Sequence, residues 1–232
     1  MKPIQIQHFS DILCVWAYVG QHRLNAFIAD YDDKVDIHQH FCSVFPDVWS
    51  KVETNWAGRG GFEGYGAHVQ EVVARFEGMQ VHPDIWSKVR PRSSASPHLF
   101  VKAVEILARD AGETPQNTPY AAQLPVKAAA TLRRAFFEQA RDISNWDVQR
   151  DIATEIGVDF TDVQATIENG EAIALLAGDY ETAQKKGIEG SPTYLLNEGR
   201  QKLYGNVSTR VIEANVKELL LDETGDRASR CI

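Results

Sequence analysis

The pattern of apolar and polar residues predicts two strands joined by a helix near the start of the chain. Residues 4–8 read Ile-Gln-Ile-Gln-His, and residues 35–41 alternate in the same way. A period of two is typical of a β-strand. From Trp16 onward the apolar residues recur at roughly helical spacing, which predicts a helix over residues 15–29. A strand, a helix and a strand in sequence imply a right-handed crossover between parallel strands.

The middle of the chain carries mostly helical patterns. We predict helices over residues 68–76, 96–111, 125–141, 148–156 and 160–169. Residues 45–66 are rich in glycine, tryptophan and charge and show no clean period, so we expect a loop with helical pieces. Such a loop could also serve as a flexible lid, because binding residues often gather on loops. Residues 81–85 are expected to be extended, since Pro83 interrupts any helix there.

The last part of the chain returns to a mixed pattern. We predict a helix over residues 172–186, a strand over 193–196, a hairpin turn over 197–200, a strand over 201–204 and a final helix over 207–221. The chain therefore divides into an α/β domain of residues 1–44 and 171–221, an inserted helical domain of residues 45–170, and a polar tail of residues 222–232.

Cys14 lies where the first strand gives way to the first helix. The unpaired N–H groups and the positive dipole end of a helix favour a thiolate over a thiol. Cys14 is therefore the candidate nucleophile of this chain.

The surroundings of Cys14 carry a resemblance. Residues 9–20 read Phe-Ser-Asp-Ile-Leu-Cys-Val-Trp-Ala-Tyr-Val-Gly. This stretch resembles the DsbA-like branch of the thioredoxin superfamily, in which Asp-x-x-Cys-Pro-Trp-Cys-Tyr-x-Gly follows the first strand. The matching positions are Asp11, Cys14, Trp16, Tyr18 and Gly20. Val15 stands where proline is usual, and Ala17 stands where the second cysteine would be.

A second motif and the helical block extend the resemblance. Residues 187–193 read Gly-Ile-Glu-Gly-Ser-Pro-Thr, similar to the family segment Gly-x-x-Gly-x-Pro-Thr, whose proline is cis. Residues 132–159 are similar to the helical domain of the branch that includes 2-hydroxychromene-2-carboxylate isomerase and kappa-class glutathione transferase. The resemblance implies a thioredoxin-like fold of the α/β class with a mostly helical insertion domain. It also implies that the proline faces the active cysteine beside a peptide or glutathione.

Length, charge and cysteine content narrow the possible domain organisation, partners and location of the protein. A chain of 232 residues favours one compact domain with an insertion over two independent ones. The net charge of -8 argues against a general affinity for nucleic acid. The sequence contains no apolar run long enough to predict a membrane-spanning helix. Three cysteines do not suggest a disulfide-stapled fold, and the first strand begins too close to Met1 for a signal peptide. We therefore expect a cytoplasmic protein.

A single active-site cysteine restricts the chemistry. Ala17 cannot resolve a mixed disulfide, so dithiol redox cycling by the usual route is excluded. We expect a monothiol thiol-disulfide oxidoreductase or disulfide isomerase that acts through Cys14, with glutathione as a possible cosubstrate and no tightly bound cofactor. One alternative is a glutathione-dependent isomerase or transferase of the chromene-carboxylate or kappa type, where a serine usually replaces the cysteine. Another is a redox-silent module that binds extended peptides.

The candidate site residues follow from the two motifs. Cys14 is the catalytic candidate, and we expect substrate or glutathione to be bound at Asp11, Trp16, Ala17, Ser191, Pro192 and Thr193. Asp11 is expected to cap the first helix or to tune the thiol. Cys42, at the end of the second strand, is either a buried apolar side chain or a second thiol that resolves Cys14. Cys231 is incidental. The strand histidines form no ligand set, so we expect no metal. The partners would be small thiols or disulfide-containing proteins, with homodimerisation left open.

Overall fold

The fold is built on one mixed sheet. The structure, a computed structural model, describes residues 3–221. The strands are β1 (Ile4–Ser10), β2 (Val35–Phe41), β3 (Thr193–Leu196) and β4 (Gln201–Tyr204). Their spatial order is β2-β1-β3-β4, with β1 parallel to β2 and both other pairings antiparallel. This arrangement confirms the predicted thioredoxin-like α/β fold with a helical insertion.

The helices lie between and after the strands, with a long helical block between β2 and β3. They are α1 (Val15–Tyr31), α2 (Val48–Trp56), α3 (Gly61–Val73), α4 (Ala95–Asp110), α5 (Leu124–Phe137), α6 (Trp146–Ile156), α7 (Phe160–Glu168), α8 (Glu171–Lys185) and α9 (Thr209–Leu220). None of the helices within residues 3–221 is both long enough and apolar enough to cross a membrane. The helices from α2 to α7 lie between β2 and α8 in the chain. The division into domains stays a prediction.

Two segments differ from the sequence expectation. Residues 45–66 contain α2 and the start of α3 instead of a loop with scattered helical pieces. Their glycines hid the helical period, and Gly64 is required by space, since a Cβ there would lie 1.7 Å from the Arg59 carbonyl oxygen. Within residues 81–85, Pro83 and Asp84 form a turn and Ile85 makes one isolated bridge with Val89, so no extended segment spans these five residues.

The two faces of the sheet pack against different helices. On one face, apolar residues of β1, β2 and β3 form a cluster with α1 and α9. On the other face, Phe9 and Leu195 pack with Ala183 of α8. The start of α1 belongs to a third and larger cluster that includes residues of α2 to α8. Cys14 therefore lies where the sheet, α1 and the helical block meet.

Candidate active site

Cys14 is the residue that precedes α1. It adopts the N-cap position with extended backbone angles, and its side chain makes no capping bond. Its Sγ lies 3.2 Å from the backbone oxygen of Ser191 and donates to it. The side chain is buried, with 6% of its surface exposed. The structure thus joins the two motifs at one sulfur atom.

The thiol of Cys14 is under opposing influences. The backbone N–H groups of Ala17 and Trp16, at the start of α1, lower its pKa, as expected for a helix N-terminus. Burial has the larger effect and raises the pKa of Cys14 above its ordinary value. The helix amides therefore act in the expected direction, and the loss of water outweighs them in this closed arrangement.

Asp11 connects the segments around the site and does not cap α1. Its Oδ1 accepts from Leu13 N at 2.9 Å, and its Oδ2 accepts from the backbone N–H groups of Val44 and Phe45, each at 3.0 Å. The Ser94 hydroxyl donates to the same Oδ2 at 2.7 Å. Burial raises the pKa of Asp11, although these four donors oppose the shift. Asp11 therefore holds the ends of β1 and β2 together with the start of α4.

His98 is a buried neighbour that the sequence reasoning did not select. The N–H of Ile12 donates to its Nε2 at 3.1 Å, so its Nδ1 carries the proton toward the Tyr180 hydroxyl at 2.9 Å. Burial holds the pKa of His98 well below its usual value. Its ring stacks on Phe41 at 4.1 Å. In the sequence, the only indication of His98 was its position at the start of a predicted helix. In the structure, its neutral imidazole supports the turn before Cys14.

The proline motif approaches Cys14 through its backbone. The Ser191-Pro192 bond is cis. The Ser191 hydroxyl accepts from Asp11 N at 2.9 Å, and Thr193 Oγ1 donates to the Gly190 oxygen at 2.8 Å. A Cβ at Gly190 would lie 2.8 Å from the Tyr204 hydroxyl oxygen, so the ring of Tyr204 packs closely on the Gly190 backbone. Ser191, Pro192 and Thr193 are thus gathered beside Cys14.

The remaining candidates on α1 occupy different environments. Trp16 is half-buried and packs against the large apolar cluster, so only part of its ring can meet a ligand. Ala17 is 2% exposed and places a methyl group where a second thiol would stand. The Ala17 methyl group therefore contributes packing at that position.

Cys42 lies beside the same loop. Its Sγ is 3.9 Å from the Gly190 oxygen, and its N–H donates to the Ser10 oxygen at 3.0 Å. It lines a cavity of about 340 Å³ together with Tyr180 and Lys51. Burial raises the pKa of Cys42, and the negative charge of Asp11 adds to this shift. Both thiols therefore face neighbouring carbonyl groups of one loop, and both are free cysteines. The third cysteine, Cys231, lies outside the described residues.

Metal binding finds no support among the described side chains. Residues 3–221 contain no group of three or more His, Cys, Asp and Glu side chains that could hold an ion. The strand histidines have other surroundings: His8 stacks on Tyr194 at 4.6 Å, and His40 Nδ1 lies 2.7 Å from Asp179 Oδ1.

Comparison with known proteins agrees with this geometry. The model of the DSBA-like thioredoxin domain family matches residues 116–217, which include the proline motif. None of the curated proteins matches the chain. The suspected resemblance is therefore confirmed by a family model over the second half of the chain.

Solved structures share the fold over nearly the whole chain. A probable DsbA oxidoreductase of Streptomyces coelicolor is 18% identical, with a TM-score of 0.71 and coverage of 99% of this chain and 93% of that one. The cytosolic disulfide reductase DsbM of Pseudomonas aeruginosa, solved with GSH, is 19% identical, with a TM-score of 0.64 and coverage of 92% and 99%. A 2-hydroxychromene-2-carboxylate isomerase is 13% identical, with a TM-score of 0.63 and coverage of 97% and 100%. At these identities the likeness establishes the fold.

Proposed function

We infer that this chain is a thiol-disulfide oxidoreductase or disulfide isomerase that works through the single thiol of Cys14 and is coupled to glutathione. Its fold is that of the DsbA-like thioredoxin family, and its sequence matches the model of that family. The observation that carries this proposal is the placement of Cys14 at the start of α1, with its Sγ 3.2 Å from the backbone oxygen before cis-Pro192. A cysteine is kept where a transferase or isomerase of this branch would usually have serine, which favours thiol chemistry. A cytoplasmic location fits this proposal.

The reaction we propose has two exchange steps. The Cys14 thiol first loses its proton to solvent, and the thiolate attacks one sulfur of a mixed disulfide between a protein and glutathione. A bond forms between Cys14 Sγ and the glutathione sulfur, and the protein thiolate leaves. A second glutathione thiolate then attacks the glutathione sulfur on Cys14, which releases glutathione disulfide and restores the Cys14 thiolate. In the net reaction one free glutathione and the glutathione of the mixed disulfide form glutathione disulfide, and the protein thiol is released in its reduced form.

The site residues would divide this work by position. The amides at the start of α1 would stabilise the thiolate when Cys14 is exposed to water. The backbone around Ser191 and Thr193 would pair with the bound peptide or glutathione, while Trp16 would form one wall. Because burial keeps the thiol protonated in the closed arrangement, substrate binding has to open the site before attack.

Trapping of the intermediate tests the proposal. The protein is incubated with glutathione disulfide, quenched with acid and digested, and the peptides are identified by mass spectrometry. We expect a glutathione adduct on Cys14 that free glutathione removes, with simultaneous formation of glutathione disulfide. Cys14→Ser is the matched control and should form no adduct at that position.

Reactivity against pH provides a second readout. Iodoacetamide alkylation of Cys14 should accelerate up to a pH above the range in which a free cysteine titrates, roughly 8.5, since burial raises the pKa of the thiol. Addition of S-methylglutathione, which has no disulfide and cannot form an adduct with Cys14, should shift this profile to lower pH by opening the site. Peptide binding without any adduct or turnover would overturn the enzyme proposal and favour a redox-silent peptide-binding module.

A further inference from the structure

A second cavity lies along α1, beyond the turn that carries Cys14. It has a volume of about 250 Å³ and opens between α1, residues 78–80 and α5. Cys14 is not among the residues that line it, whereas Tyr18, Gln21 and Asn25 of α1 are. The cavity is therefore separate from the site described above.

One wall of this cavity contains a buried cation without an anion. Arg133 of α5 is 2% exposed. Its guanidinium donates to Ser10 Oγ at 2.9 Å and to Gln21 Oε1 at 3.1 Å, both neutral acceptors. Its Nε has no hydrogen-bond partner, and no carboxylate of residues 3–221 forms an ion pair with it. A buried charge without a counter-charge is costly, so this site favours an anion.

The same cavity also contains an unpaired carboxylate. Glu138, five residues after Arg133 and directly after α5, is half-buried and accepts from the Tyr18 hydroxyl at 3.0 Å. Within the described part of the chain it forms no ion pair with a cation, whereas the neighbouring Arg134 is paired with Glu155. Arg133 and Glu138 thus both line the cavity and neither has an ion-pair partner within residues 3–221, with the amides of Gln21 and Asn25 beside them.

We propose that this cavity binds a small α-amino carboxylate, with Arg133 facing its carboxylate and Glu138 facing its ammonium group. A simple anion would meet the unpaired Glu138 carboxylate, and a simple cation would meet Arg133. A zwitterion compensates both charges at once. Guanidinium groups recognise carboxylates through paired N–H donors, and such charge-assisted hydrogen bonds are the stronger ones.

The test compares three small probes on the intact protein. L-alanine carries both charged groups, propionate lacks the ammonium group, and ethylamine lacks the carboxylate. Each is titrated at constant ionic strength while the backbone amide NMR signals of residues 18–25 and 133–138 are followed. We expect saturable shifts with alanine, and binding at least about tenfold weaker for propionate and ethylamine, because each loses one charge-assisted interaction.

Two variants identify the groups responsible. Glu138→Gln should remove the preference for alanine over propionate, and Arg133→Lys should weaken both carboxylates because the planar fork is lost. Arg210→Gln, on the exposed side of α9, removes a charge elsewhere and should change nothing. If Arg133→Lys fails to fold, Glu138→Gln alone decides. Equal binding of alanine and propionate, or no saturable shift with alanine, would overturn the proposal. Cys14→Ser should leave alanine binding intact, which separates this site from the proposed enzymatic one.

Discussion

Cys14 and Cys42 are two buried thiols that face the same loop, and they differ in which groups surround them. Each Sγ faces a carbonyl of the segment before Pro192, at 3.2 Å for Cys14 and 3.9 Å for Cys42. Burial raises the pKa of both thiols. However, two amides at the start of α1 lower the pKa of Cys14, whereas only the backbone of Cys42 itself has this effect on Cys42.

The difference indicates what distinguishes a reactive thiol in this fold. Removal of water penalises the thiolate at both positions, so burial does not separate them. Donors at a helix start favour the thiolate at Cys14 once water reaches it. Cys42 follows a strand and lacks such donors, whereas the charge of Asp11 disfavours the thiolate at both positions. We therefore expect the two cysteines to differ in reactivity far more than in burial.

Removing each thiol in turn is the most direct test of the expected difference in reactivity between Cys14 and Cys42. Cys14→Ser should reduce glutathione-coupled reduction of a glutathionylated peptide to background, a loss of at least about 10³-fold, because the nucleophile is gone. Cys42→Ala should keep turnover within about threefold, because glutathione resolves the intermediate. Initial rates with purified variants measure both. A tenfold loss in Cys42→Ala, with a Cys14-Cys42 disulfide in the wild type, would instead make Cys42 the resolving thiol.

Asp11 holds the segments of both cysteines, so its removal should affect both together. Asp11→Ala leaves three backbone N–H groups without their acceptor, and the Ser94 hydroxyl keeps only the Phe45 oxygen at 3.2 Å. We expect the free energy of unfolding to fall by about 3 kcal/mol or more, since each unsatisfied buried donor costs about 1–3 kcal/mol. Urea denaturation measures the change. Ser94→Ala, which removes one donor, is the graded control and should cost about 1 kcal/mol. Equal losses in the two variants would contradict the role of Asp11 as the shared acceptor.

Local patterns were sufficient to predict the elements that carry Cys14. The alternation in residues 35–41 matches β2 at both ends, and the apolar spacing after Trp16 correctly placed the start of α1. Period-two and helical patterns express the burial of one face, which is a local property of the sequence. The helices within residues 45–66 were not recognised because glycines interrupt the apolar pattern there, although Phe45, Phe62 and the tryptophans all join one apolar cluster.

Long-range contacts explain what the sequence did not indicate. Asp11 stands three residues before Cys14, so a helix cap was the natural local interpretation. Its actual partners include Val44 and Ser94, which lie 33 and 83 residues away. The raised pKa of Cys14 likewise depends on burial by distant helices. Such effects arise only when the chain is folded.

His8 represents burial that no hydrogen bond opposes, and its titration mainly measures that effect. Neither ring nitrogen of His8 has a partner, and burial, with smaller effects of Arg133 and His40, lowers its pKa from 6.5 to about 3. The unfolded chain therefore binds a proton below pH 6.5 that the folded chain refuses until about pH 3. The resulting stability is complete above pH 6.5 and is lost as the pH falls toward 3.

The matched variant is His8→Phe, which keeps the ring stack on Tyr194 and removes the titration. Between pH 7 and pH 5 the wild type should lose about 2 kcal/mol more of its unfolding free energy than this variant. Urea denaturation at both pH values measures the difference. Parallel pH dependences would mean that His8 takes up its proton at the same pH in the folded and the unfolded chain.

The smallest expected effect concerns whether α2 limits the access of reagents to the Cys14 thiol. Asp47 caps α2 by accepting from Trp49 N at 3.1 Å, and Asp159 caps α7 by accepting from Thr161 N at 2.8 Å. Replacing either residue by alanine should cost about 1 kcal/mol of stability. If α2 covers the thiol, Asp47→Ala should accelerate iodoacetamide alkylation of Cys14 by up to about fivefold, since local opening becomes easier. Asp159→Ala should leave that rate nearly unchanged. Equal acceleration in both variants would mean that Cys14 is reached through global unfolding and that α2 is not its cover.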